Sequence, residues 1–156
     1  MSIFCSCDKQ KSISTEVDIN EARIACDNLE NRYKNIYRDW LIKNNIEYQE
    51  NDNAITFEYQ GGNFVITKYS DDLEFFSLIL PCIAEINEDN FGAMLTAIME
   101  INKEKKCVKS FVIDGKVCLS TEIMLDQTPE IERIMPRLLS RLHASRLDFY
   151  GMIASN

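Results

Sequence analysis

Histidine occurs once in the 156 residues, at position 143, and glycine only five times. A single histidine leaves just one place where the commonest general base and metal ligand could act. None of the glycines stands in a phosphate-cradling loop. The six cysteines include no C-x-x-C, which sets aside the usual zinc and thiol–disulfide motifs. Long apolar runs are missing too. The longest, Phe75 to Ala84, is broken by Ser77, Pro81 and Cys82 and falls far short of the ~20 residues of a membrane helix. Positive charge is in deficit, with 17 Lys and Arg against 25 Asp and Glu, a net charge of −8. That balance disfavours a face for nucleic-acid phosphate and repels anionic membrane. Met1 to Cys7 has neither the basic start nor the apolar core of a signal peptide. The expectation is a cytoplasmic protein without nucleic-acid or membrane partners.

Amphipathic pattern is present in quantity, with 46% apolar residues. Residues 1–17 are mixed and polar and read as a flexible N-terminal segment. Residues 18–156 read as a single domain, since no repeat or linker divides them. Asp18 followed by Glu21 forms a capping-box pattern. From Ala22, Ala25, Cys26, Leu29, Tyr33, Ile36, Tyr37 and Trp40 recur at three-four spacing, so a helix runs to about Lys43.

Strands follow. Ile55, Phe57 and Tyr59 alternate with polar residues up to Gly61-Gly62, and Phe64, Val65 and Ile66 lie beyond. With those glycines as the turn, Tyr59 opposes Phe64 and Phe57 opposes Ile66. Leu73 to Leu80 is apolar on both faces, so it reads as a central strand, with Pro81 at its end or edge. Asn87 opens a second helix carrying Phe91, Met94, Leu95, Ile98 and Met99 on one side, with Asn102 near its end. Val108–Ile113 and Val117–Met124 form a hairpin about Asp114-Gly115, a type I′ signal. Thr128 and Pro129 start the last helix, which carries an internal Pro136. The predicted fold is α+β: a five-stranded antiparallel sheet with flanking helices, in the order α-β-β-β-α-β-β-α.

Candidate chemistry is sparse. His143 lies between Leu139 and Leu147 on the last helix without a carboxylate partner at helical spacing, which reads as packing or interface. The carboxylates Asp71, Asp72 and Glu74, and Glu85, Glu88 and Asp89, are explained by a turn and a helix start. Cys5 and Cys7 are one spacing that could grip a soft metal, but no second ligand pair accompanies them. The hairpin register sets Cys118 opposite Phe111 and Cys107 opposite Glu122, which keeps those two thiols apart. Arg133, Arg137 and Arg141 form a row on the last helix and read as a solvated face. No cofactor or metal is implied.

Surplus apolar surface is the remaining clue. Phe76, Leu78 and Leu80 form one set on the central strand, and Leu139, His143, Leu147 and Tyr150 form an apolar edge of the last helix. Together they are the expected partner-binding residues, with a middle helix that covers everything as the competing account. The alternative is a small-ligand protein or enzyme built around His143 and scattered carboxylates.

Two stretches carry a family resemblance. Gly62-Asn63-Phe64-Val65-Ile66 through Leu80-Pro81, and Ala97-Ile98-Met99-Glu100-Ile101-Asn102 running into Ser110-Phe111-Val112-Ile113-Asp114-Gly115-Lys116-Val117, resemble the YbjN family. That family is similar in fold to the class I type III secretion chaperones, small acidic proteins that dimerise and hold extended client segments. The resemblance implies a non-enzymatic, bacterial, chaperone-like or regulatory module, a homodimer with a protein or peptide client. It carries over no catalytic residue.

Overall fold

The computed structural model describes residues 8–126 and 128–155, with the side chains of residues 8–17, 26, 29, 30 and 34 outside that description. The elements are α1 (Asp8–Lys43), β1 (Tyr48–Glu50), β2 (Ala54–Tyr59), β3 (Gly62–Thr67), β4 (Phe75–Glu85), α2 (Phe91–Glu104), β5 (Lys109–Ile113), β6 (Lys116–Met124) and α3 (Ile131–Ala154). The sheet is antiparallel and has six strands, in the order β1-β2-β3-β4-β6-β5, where five were expected. The extra one, β1, is three residues long and too short to show an alternation.

Several boundaries differ for local reasons. Helix α1 begins at Asp8, ahead of Asp18, because no glycine or proline interrupts the preceding residues. It ends where Asn45 takes a positive φ of 55° and the Ile46 amide reaches back to Leu41, a left-handed cap. Helix α2 begins at Phe91, after Asn87 and Asn90 exchange amide–side-chain hydrogen bonds of 2.8 and 3.0 Å. Helix α3 begins at Ile131, past Thr128 and Pro129.

Hairpin β2–β3 turns on Gln60-Gly61, at φ 47° and 70°, and not on Gly61-Gly62. Tyr59 therefore pairs with Gly62, Phe57 with Phe64 and Ile55 with Ile66, a slip of two residues from the expected register. An even slip preserves the faces, so the apolar set stays together. Gly62 is placed by packing: a Cβ there would lie 2.9 Å from the Phe64 ring.

Strand β4 runs through Pro81 to Glu85 because a bulge absorbs the proline. Register places Ile55, Phe57, Phe64, Ile66, Phe76, Leu78, Leu80 and Leu119 on one sheet face, all buried. Helix α1 covers it with Tyr33, Tyr37, Trp40 and Leu41, and α3 covers it with Met135, Leu138, Leu139, Leu142 and Phe149. Tyr37 packs against Phe76 with tilted rings whose centroids are 5.1 Å apart. Helix α2 packs beside α3 and against β5. Each fully buried Leu or Phe contributes about 1.5–3 kcal/mol, so this single cluster carries the fold.

Candidate docking surface

The opposite sheet face is open. It carries half-exposed Val65, Phe75, Ile79 and Phe111 and exposed Met124. Polar residues temper it: Lys109 pairs with Glu122 at 3.3 Å and lies 5.6 Å over the Phe111 ring. This is the ordinary half-solvated side of an antiparallel sheet.

Helix α2 departs further from the ordinary. Its inward residues Met94, Ala97, Ile98 and Ile101 are buried, whereas Phe91, Leu95 and Met99 are 58%, 46% and 62% exposed. The expected one-sided stripe is thus two stripes: the apolar arc is wider than the contact with α3 and β5 can cover. Phe91, Leu95 and Met99 stand at i, i+4 and i+8, so they form one row. Val112 and Ile113 of the adjacent edge strand are also exposed, at 46% and 50%, one on each face of the sheet. Exposed Gly92 and Thr96 flank the row and leave it low enough for close approach.

One device blocks strand addition beside this patch. The Asn102 amide donates to the Ser110 carbonyl at 3.0 Å and its oxygen accepts from the Ser110 N–H at 2.7 Å. The free edge of β5 is closed there by a side chain acting as a substitute strand.

The expected partner residues are divided by the fold. Phe76, Leu78 and Leu80 are buried at 0–2% under the helices, as is Leu139. Phe75 and Ile79 are the strand residues that face outward. Leu147 is exposed, and Tyr150 is partly exposed while its hydroxyl donates to the Ile83 carbonyl at 2.8 Å. His143 is half-buried and meets Arg146, with Nη2 3.1 Å from Nε2. A guanidinium only donates, so Nε2 accepts and Nδ1 carries the proton. Burial, and secondarily the Arg146 charge, push the imidazole below its usual range. The carboxylates Asp71, Asp72, Glu74, Glu85, Glu88 and Asp89 are all exposed and distributed over two loops and the end of β4. Asp148 is taken up by Lys105. Among the described residues, no group of three or more His, Cys, Asp or Glu side chains is arranged to hold a metal ion. Cys5 and Cys7 lie outside the described residues.

A feature that sequence reasoning missed is a cleft of about 510 Å³ between α1 and the β3–β4 connection. Tyr33, Tyr37, Tyr69, Leu73 and Phe75 line it, with Arg38 and Lys68 at its rim. Both cations converge on Glu50, and the Arg38 hydrogen bond, joined by Lys68, holds that carboxyl down to about 2. Tyr33 and Tyr37 were visible as helix-stripe residues; their proximity to Tyr69 depends on the sheet.

The architecture is two-layer α+β, with helices on one sheet face, a mixed polar and apolar outer face, and one helix flank left apolar and uncovered. Among the described residues no helix is long and apolar enough to cross a membrane. Its fold is similar to that of YbjN from E. coli, a candidate transcription regulator, with a TM-score of 0.59 and 16% identity. That match covers 74% of this chain and 89% of YbjN. The ExoU–SpcU heterodimer of the Pseudomonas aeruginosa type III secretion system also aligns, at TM-score 0.49 and 17% identity, covering 74% of this chain and 93% of that one. No protein-family model and no curated protein matches the sequence.

Proposed function

We propose that this chain is a non-enzymatic, cytoplasmic protein-binding module of one domain, a YbjN-like regulator that acts as a homodimer. The observation that carries the reading is the uncovered row Phe91, Leu95 and Met99 on α2. A second copy is a fitting occupant, because a row of exposed apolar residues one helix turn apart can pack against its own copy in an antiparallel pair about Leu95. The fold likeness to a candidate regulator supports this reading, and the net charge of −8 favours regulation through protein contact over DNA contact. A protein or peptide client is assigned to the α3 edge, at Leu147 and Tyr150.

Size-exclusion chromatography with light scattering tests the dimer. The expected mass is twice the 18.1 kDa of one chain, falling to one chain for Leu95→Asp and Met99→Asp. A strictly monomeric wild type at high concentration overturns it. The client part is read by comparing partners retained by wild type and Leu147→Asp; full retention removes that edge from the reading. A small-ligand reading at another place than His143 and the carboxylates is favoured by one observation, the tyrosine-lined cleft. It predicts chemical-shift changes confined to Tyr33, Tyr37 and Tyr69 in a fragment screen, and an unresponsive cleft rejects it.

A further inference from the structure

The bulge in β4 brings together two cysteines that lie far apart in sequence. Register passes from Leu80 opposite Leu119 directly to Ala84 opposite Val117, so Pro81, Cys82 and Ile83 all face the single residue Cys118. The Cys82 N–H donates to the Cys118 sulfur at 3.5 Å. That contact sets the Cys82 backbone directly beside the Cys118 sulfur, and a disulfide needs Cα atoms about 4.4–6.8 Å apart. Cys82 is exposed and Cys118 is 2% exposed. We propose that Cys82 and Cys118 are a redox-active dithiol that a hydroperoxide converts to a reversible intramolecular disulfide.

The division of labour follows from exposure. Cys82 takes a left-handed φ of 54°, which a residue with a Cβ adopts at a cost, and this turns the middle of the bulge toward solvent. The bulge is braced from the helix layer, where the Tyr150 hydroxyl donates to the Ile83 carbonyl. Cys107, the other exposed thiol among the described residues, lies in the turn before β5 at a positive φ of 61°, outside the paired strands and not in the register of this pair.

The chemistry balances with peroxide as the oxidant. The Cys82 thiolate attacks the O–O bond; an S–O bond forms, O–O breaks, and the departing oxygen leaves as water or an alcohol after taking a proton. Cys118 sulfur then attacks the sulfenic sulfur; S–S forms, S–O breaks, and water departs with the Cys118 proton. Two electrons have passed from two thiols to the peroxide, and a dithiol reductant reverses the step.

Peroxide treatment of the full chain, followed by alkylation and peptide mapping without reduction, tests the assignment. The expected product joins the Cys82 and Cys118 peptides, is two hydrogens lighter, and disappears with dithiothreitol. Closing a 36-residue loop raises the melting temperature by roughly 5–10 °C. Cys107→Ser keeps the linkage and Cys82→Ser abolishes it. The proposal is overturned if Cys82 proceeds to sulfinic acid while Cys118 stays alkylatable in denaturant, or if either thiol links instead to another cysteine or another chain. The wild-type map decides this whether or not the variants fold.

Discussion

Glu50 accepts hydrogen bonds from both Arg38 and Lys68 while its side chain is only 16% exposed. In the unfolded chain its carboxyl takes a proton near pH 4.5, and in the folded protein near 2. A depressed carboxyl contributes stability that is complete above the unfolded value and is lost as pH falls toward the folded one. Urea titrations between pH 4.5 and 2 are therefore expected to show a steep loss in wild type that Glu50→Gln flattens. At pH 7 the variant unfolds with about 1–3 kcal/mol less free energy, since two cations lose their shared partner. Neither partnership was readable from sequence. Arg38 and Glu50 are twelve residues apart and Lys68 comes from the next hairpin, so only the sheet brings them together.

The elements themselves were written plainly in local pattern. Asp114-Gly115 turns at φ 48° and 72°, as the dipeptide predicts, and period-two alternation located β2 and β3. Weaker signals failed where two local preferences competed. Gly61-Gly62 attracted the turn, yet Gln60 tolerates a positive φ and Gly62 is needed beneath Phe64. Pro81 suggested an ending, but the bulge removes the ladder bond it cannot make. Asn102, near the end of its helix, ties it to the edge of β5. Asn102→Ala strips both backbone groups of Ser110 of their partner and reopens that edge. Chemical denaturation is expected to show a loss of about 1–3 kcal/mol. Light scattering at equal concentration is expected to rise faster for the variant on warming. A variant as stable and as soluble as wild type would show that water replaces the amide without cost.

Sidedness belongs to the whole molecule. Adjacent residues of β4 meet opposite fates: Phe76 is fully buried against Tyr37, and Phe75 stands on the open face beside Tyr69. Phe76→Asp is expected to abolish cooperative unfolding, because it leaves an unpaired charge in the core. Phe75→Asp is expected to cost far less, about 1–2 kcal/mol, because Phe75 is only half-buried and loses its edge contact with Tyr69. Circular dichroism melts of the pair measure which face the helices occupy. Equal losses would mean that both faces are covered, which would also remove the room for a partner.

Period, turn chemistry and charge are properties of neighbouring residues, so the chain alone determined the α+β class, most element positions and the surplus of apolar side chains. Which surplus stays outside was decided only by packing. α1 and α3 can cover one sheet face, and they chose the Phe76 set. α2 was left with more apolar arc than its neighbours could cover. Contacts such as Cys82 with Cys118 and Arg38 with Glu50 exist because a bulge and a register, set by the whole sheet, bring distant residues within a few ångströms.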